Sequence, residues 1–487
     1  METSSAPINL RARARRALID QQFVPDFSPD VEDEVRHISP ASRVAGLSDL
    51  RHLLWSSIDN EESLDLDQVE YATEEADGSI RVSIGIADVD LYVPQGRAID
   101  RRAAVNSASI YTGAATFPML PEKLSTNLSS LLENEDRIAI VVDFLVKPSG
   151  EVVTQQVSRA WVRNHAKLVY EEVGAWLDGQ SGPPQKIASS PDLEKQVRLH
   201  HAAATRLREL RRQHGSLTLG TIEPKAVMRD GQVVDLKIAQ SNPAREIIES
   251  FMIAANVGTA GLLNARGFAF IRRVVRVPKR WDRIRELVEQ HGCPLPEEPD
   301  SKALSTFLAR EKEADPLRFP DLSLAVVKLL GPGEYIMERP NDDSVGHFGL
   351  ALQDYTHSTA PNRRYPDLII QRLLKAMIDG KPAPYTEPQL LEIASHCTER
   401  EDAVRKIERL MRKVIAATAF SSRIGEVFDA VMTGASPKGT YVRLLRWPAE
   451  GRVIRGEHGI DVGDTVQVRL LSTNPERGFI DFEKLSG

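Results

Sequence analysis

The chain has 487 residues, of which 41% are hydrophobic and 27% charged, with a formal net charge of −7. This length is too great for one ordinary core and predicts roughly two to four domains of a soluble globular protein. The acidic balance argues against a protein that coats nucleic acid non-specifically, though not against a nucleic-acid enzyme with a basic channel, and the two distant cysteines, Cys293 and Cys397, exclude a disulfide scaffold or zinc spacing and lead us to expect a reducing cytoplasm.

Residues 9–20 (NLRARARRALID) contain no helix breaker and predict a helix. FVPDFSPDVEDEV then reads as a connector before a second short helix. Residues 1–45 are therefore expected to be a helical extension, either a helix-turn-helix-like module or a bland surface arm. The basic residues there accompany no apolar h-region, so no signal peptide is expected. No apolar run approaches about 18 residues, so no membrane span is expected.

From about Ser48 the texture becomes β-rich. VEYATEEADGSIRVSIGIADVDLYV predicts a hairpin around the Asp77-Gly78 turn. RIAIVVDFLV and EVVTQQVSRAWV predict further strands on either side of a turn at 148–150, and residues 179–192 read as a loop. Residues 193–214 form a long charged helix whose net basic face is either solvated or set against a phosphate backbone. Residues 244–265 predict a largely buried helix, and 366–378 and 387–419 two more. From about Gly425 short strands alternate with Gly, Pro and Asn turns, as in a small Greek-key barrel of OB type. The expected class is α+β with an all-β C-terminal barrel.

Two stretches carry chemistry. In SSIDNEESLDLDQVEYA, Asp65 and Asp67 stand two apart, and Asp59 lies six residues earlier. On an extended segment Asp65 and Asp67 share a side. Three converging carboxylates repel one another unless a cation is present, and Mg²⁺ takes hard oxygen ligands completed by water and phosphate. An acidic solvated loop is the other reading. An EF-hand is excluded, because Leu64 stands where its glycine belongs. In HFGLALQDYTHSTAPNRRYPDLIIQRLL, Pro366 and Asp367 suit a first helical turn, which puts Arg363 on the entering loop. Its guanidinium could fork onto a phosphate and offset charge developing during cleavage, or pair structurally with a carboxylate. His357 lacks a second histidine at ligand spacing and reads as structural.

At these stretches the sequence resembles the catalytic (RNB) domain of the RNase II/RNase R family, over about residues 46–420. One signature is DNEESLDLD and the other YTHSTAPNRRYPDL, with IADVDLYV, FPMLPEKLS, LRELRRQHGSL, ESFMIAAN and HFGLAL between them in family order. The segment 421–487 resembles an S1-type RNA-binding barrel, with Tyr441 at a stacking position among Arg443, Arg446, Arg452 and Arg455.

The resemblance implies a Mg²⁺-dependent 3′→5′ exoribonuclease that degrades single-stranded RNA to nucleoside 5′-monophosphates. It implies one or two Mg²⁺ ions, for which Mn²⁺ can substitute. Asp59, Asp65, Asp67 and Gln68 fall at the metal positions, Asp67 and Arg363 at the catalytic ones, and Tyr111 at a base-clamp position. Phe268 is a looser match for a second clamp, with a core aromatic as the alternative. The family often has an aspartate where Gln68 stands, which leaves open a second reading: an RNA-binding scaffold with a weakened nuclease core. A phosphodiesterase acting on DNA or small nucleotides is a third. Family members usually carry two cold-shock-type barrels where about 45 residues stand here. We expect no membrane association, no required protein partner and a monomer.

Overall fold

The computed structural model describes residues 8–41, 44, 46–220, 223–229, 232–239, 242–436, 439–456 and 463–485. The first helix, Leu10–Asp20, is capped by Asn9, whose side chain accepts from the Ala12 amide at 2.9 Å. Its apolar stripe (Leu10, Ala14, Ala17, Leu18) packs with Ala403, Val404 and Ile407 of the 34-residue helix Glu387–Phe420. Arg400 of that helix lies over the Phe23 ring at 3.8 Å. Arg13 and Arg16 reach Glu476 of the C-terminal barrel. The second helix, Pro29–His37, buries Val31 and Val35 in the main core.

The centre is a six-stranded sheet in the order Ser48–Asp49, Val152–Val169, Trp55–Asp59, Gln68–Glu74, Ile80–Ala87, Asp136–Val146. Strand Val152–Val169 is longer than its sequence suggests because it serves three neighbours, the short strand Ser48–Asp49 pairing parallel with Ala160 and Trp161. Its first part runs antiparallel to Asp136–Val146, and its last part runs parallel to Trp55–Asp59. The expected hairpin is present, with Gly78 at φ 77° in its turn.

Alternation along these strands serves two cores. Ala72, Val82, Ile84 and Phe144 face helices Pro191–Gln213 and Pro243–Ala265. Trp55, Val69 and Val141 face helix Tyr365–Ile378. Helix Pro243–Ala265 corrects one expectation, because it has the length and hydropathy of a membrane span. Its most apolar window is 67% buried inside the protein, where Ile247, Phe251 and Ala255 pack on the sheet. Much of the charge of helix Pro191–Gln213 is spent on ion pairs, Arg198 with Glu194, Arg212 with Glu209, and Arg208 with Glu246.

Helices Trp281–Glu289, Ser301–Ala314 and Phe319–Leu330 form a satellite core between the paired strands Phe270–Val274 and Glu334–Glu338. The C-terminal strands Val427–Ser436, Gly439–Leu444, Glu450–Arg455, Thr465–Asn474 and Phe479–Lys484 close into a barrel around Phe428, Val442, Leu470 and Phe482. Besides Glu476 with Arg13 and Arg16, further side-chain contacts bolt this barrel to the rest. Arg443 grips Asp321 through Nε at 2.9 Å and Nη2 at 2.7 Å, and Trp447 donates to Asp235 at 3.2 Å.

Candidate active site

Three segments far apart in sequence meet at one end of the sheet. The first is the acidic loop between strands Trp55–Asp59 and Gln68–Glu74. Leu66 donates its amide to Ser130 Oγ at 2.9 Å, Leu131 donates to the Leu66 carbonyl at 3.0 Å, and Ala87 donates to the Asp67 carbonyl at 2.9 Å. These bonds fix the backbone that carries Asp65 and Asp67. The second segment is the loop before helix Tyr365–Ile378, in which Pro366 and Asp367 occupy the first turn as the sequence predicts. The third is residues 107–111. Ser109 donates to the Arg363 carbonyl at 2.9 Å, and Tyr365 donates to the Ser107 carbonyl at 2.8 Å. The arginine loop and the segment leading to Tyr111 are therefore held as one unit.

Asp67 is only 2% exposed. Its Oδ1 accepts from the Asn362 amide at 3.1 Å, and its Oδ2 lies 3.4 Å from Arg363 Nε. Burial pushes the Asp67 carboxyl up to about 7, against the opposing pull of the Arg363 guanidinium and the Asn362 amide. The Arg363 side chain is 49% exposed, so one edge of its fork remains open to a ligand. The Tyr111 hydroxyl donates to Asp65 Oδ2 at 2.9 Å, and the residue is 40% exposed. Burial, and next the Asp65 charge, hold the Tyr111 phenol above its usual range. Asp65, Asp67, Tyr111 and Arg363 thus form one constellation.

Asp59 does not close onto it. Its Oδ1 accepts from the Asn60 amide and the Ser63 hydroxyl, both at 2.7 Å, so that oxygen is held within its own loop. Among the described residues, no three His, Cys, Asp or Glu side chains gather closely enough to chelate an ion unaided. The expected convergence of three carboxylates is therefore not what the fold provides. It provides an open arrangement of oxygens. That suits a hard divalent cation whose shell is completed by water and substrate phosphate. The donor chemistry fits at Asp65 and Asp67, two carboxylates faced by Arg363, with Asp59 and Gln68 at the two ends of the same loop.

Sequence reasoning missed two residues here. Asn362 orients Asp67 through its amide, while its own Oδ1 accepts from Ser129 Oγ at 2.6 Å. The signal was its place beside Arg363 in the motif. The second is Glu70, fully buried on strand Gln68–Glu74, with no partner for either carboxylate oxygen. Such a group costs about 1–3 kcal/mol or more if left unsatisfied. Burial, and then the charge of Asp59, raise its carboxyl well above the ordinary range. An acid set between Val69 and Tyr71 was the available signal.

The remaining expected residues lie apart. His357 is partly buried, with its Nδ1 and the Tyr335 hydroxyl 2.8 Å apart, and desolvation lowers its pKa. Phe268 is partly buried and packs against the main core. Tyr441 is half-buried on the barrel, opposite Arg452. Arg446, Arg452 and Arg455 are exposed around it. Arg443 is not available to RNA as expected, because its side chain is 11% exposed and committed to Asp321.

Comparison with known proteins gives two family matches: the RNB domain over residues 47–380, and the RNase II-type exonuclease C-terminal S1 domain over residues 426–485. Ribonuclease R of Thermotoga maritima is 30% identical, with 94% of this chain and 68% of that protein covered. Ribonuclease R 1 of Lactococcus lactis is 27% identical, covering 96% of this chain but 60% of that protein, so the chain spans only about three fifths of that relative's length. The solved structure of Mycoplasma genitalium RNase R with ribose-methylated single-stranded RNA superimposes with a TM-score of 0.87 at 22% identity, over 98% of this chain and 78% of that one.

Proposed function

The chain belongs to the RNB-domain family, and on that premise we propose that it is a hydrolytic 3′→5′ exoribonuclease acting on single-stranded RNA and releasing nucleoside 5′-monophosphates. The observation that carries this reading is the buried Asp67 carboxylate set against the half-exposed Arg363, with Tyr111 beside them.

The 3′-terminal base stacks on the Tyr111 ring, and Phe268 is proposed as the second clamp. Stacking tolerates any base, which suits an enzyme that steps along RNA. Arg363 presents its open edge to the non-bridging oxygens of the scissile phosphate and offsets the charge that develops there. Asp67, oriented by the Asn362 amide, positions the attacking water and accepts its proton. Water adds to phosphorus, the bond to the 3′ oxygen of the preceding nucleotide breaks, and the terminal nucleotide leaves. Asp59, Asp65, Asp67 and Gln68 would hold Mg²⁺, for which Mn²⁺ can substitute; when bound, the ion lowers the pKa of water and neutralises phosphate charge. On the barrel, Tyr441 with Arg446, Arg452 and Arg455 forms a secondary RNA contact. The unit of function is proposed to be the monomer.

The test is 5′-labelled single-stranded RNA incubated with Mg²⁺, followed by product analysis. Stepwise shortening with mononucleotide release is expected, and Asp67→Asn abolishes it while RNA still binds. Undiminished cleavage by Asp67→Asn would falsify the assignment. One observation favours a second reading: Gln68 carries no charge at a metal position, as in an RNA-binding scaffold with a weakened core. RNA bound tightly and recovered intact would select that reading.

A further inference from the structure

Two consecutive buried serines hold the two halves of the site. The turn Leu124–Leu128 closes wide, with the Ser129 amide donating to the Leu124 carbonyl five residues back at 3.1 Å. Turns of this width are uncommon and frequently lie at functional sites. This one delivers Ser129 and Ser130, 3% and 0% exposed, to the acidic loop and the arginine loop. Ser130 Oγ accepts from the Leu66 amide at 2.9 Å and donates to the Leu64 carbonyl at 2.6 Å. One hydroxyl therefore brackets Asp65 along the backbone. Ser129 Oγ donates to Asn362 Oδ1 at 2.6 Å, sharing its proton with the Leu124 carbonyl at 2.9 Å. The Asn362 amide in turn donates to Asp67 Oδ1 at 3.1 Å.

A buried serine hydroxyl is commonly satisfied within its own turn. Ser125 is such a case: it is 3% exposed, and its hydroxyl meets the nearby Leu120 and Pro121 carbonyls. Ser129 and Ser130 instead reach across 233 positions to Asn362 and across 64 to Leu66. The Asn362 side chain is 1% exposed, and its Nδ2 has no partner among the described residues, so Ser129 is the contact that orients it. The serine pair is itself anchored. Arg137 Nε donates to the Ser130 carbonyl, and Asn164 of strand Val152–Val169 donates to the Leu131 carbonyl, both at 3.0 Å. Reacting groups tolerate little slack, since a misplacement of about 1 Å can cost about 10²-fold in rate.

We propose that Ser129 and Ser130 are positioning residues for the reaction. Ser130 sets the backbone that aims Asp65, and Ser129, through Asn362, sets Asp67 opposite Arg363. This rests on the exonuclease reading above and deepens it. Neither serine is exposed enough to touch RNA. Together they fix the carboxylates against the guanidinium before substrate arrives.

The experiment compares Ser129→Ala and Ser130→Ala with Ser125→Ala, a control that loses the same atom from the same turn. Single-turnover cleavage of 5′-labelled single-stranded RNA in Mg²⁺, at saturating enzyme, is set beside RNA affinity measured without metal. Ser129→Ala and Ser130→Ala are expected to slow cleavage about 10- to 100-fold with RNA affinity unchanged. Ser125→Ala is expected to keep the rate, even where it lowers Tm. Asn362→Ala should slow cleavage as Ser129→Ala does, and combining the two should add little, because both cut one link. A rate loss no larger than that of Ser125→Ala, or losses that multiply in the double variant, overturns the proposal. Hydrogen exchange of the Asn362 amide reads the same link without activity. Ser129→Ala should speed that exchange, and an unchanged rate of exchange also overturns the proposal. If the unmodified protein never shortens RNA while Ser129→Ala speeds the exchange, the exonuclease reading falls and the link from Ser129 to Asp67 stands.

Discussion

Replacing Arg363 by alanine separates catalysis from folding. The guanidinium lies 3.4 Å from Asp67 with its side chain 49% exposed, so solvent screening limits the ion pair's part in folding to about 0–1 kcal/mol. The loop itself does not need the side chain. It is held by Ser109 donating to the Arg363 carbonyl at 2.9 Å, by the Arg363 amide donating to Ala360 at 3.2 Å, and by Tyr365 donating to Ser107 at 2.8 Å. Arg363→Ala should therefore lower Tm by no more than about 2–4 °C. Removal of a donor that faces developing charge costs about 10²- to 10³-fold in rate, or roughly 2.7–4 kcal/mol of transition-state stabilisation. The assay is single-turnover cleavage of 5′-labelled RNA with enzyme in excess, beside calorimetry of the same preparations. Arg363→Lys keeps the charge but not the planar fork, and should fall between the two. A rate loss below about fivefold, small beside the magnitude above, would refute the reasoning. So would a Tm that falls in step with rate, since Arg363 would then be a structural arginine.

Tyr111→Ala should weaken single-stranded RNA binding by about 1–3 kcal/mol, the worth of one stacked base, while Tyr111→Phe keeps most of it. Equal losses would shift the role from the ring to the hydroxyl bond with Asp65. His200 is fully buried with neither ring nitrogen partnered, and burial lowers its pKa from 6.5 to about 3. Between those values the unfolded chain binds the extra proton. Stability is thus present above pH 6.5 and falls as pH drops toward 3, by up to about 1.4 kcal/mol per pH unit. Urea titrations of His200→Met should lose that slope, and an unchanged slope would assign the acid sensitivity to other groups. Asp321→Ala strips Arg443 of its bidentate partner and should cost about 1–3 kcal/mol at the barrel contact. Calorimetry should then show the barrel melting ahead of the remainder, and an unaltered thermogram would mean the contact does not hold it.

The local elements were legible because their causes are local. Alternation of Ile80, Val82, Ile84 and Ile86 dictates a strand, the Asp77-Gly78 pair permits a turn at φ 77°, and Pro366 with Asp367 opens a helix. The spacing of Asp65, Asp67 and Arg363 marked the chemistry through its resemblance to a family. Residues 334–338 escaped notice because that strand is short and pairs with 270–274 only after a three-helix excursion.

Which side chains meet was decided by the tertiary structure. The Asn362 amide reaches Asp67 across 295 positions, a partnership no spacing rule reveals. Asp59 shares the motif, yet its Oδ1 is held within its own loop by Asn60 and Ser63. Arg443 looked free to bind RNA until the barrel docked it on Asp321. Glu70 could be recognised as a buried acid without a donor only once helices covered its strand. Local spacing fixes the direction in which a side chain points. Chain closure and burial determine what stands opposite it and whether water remains, and those two conditions set its charge and its chemistry.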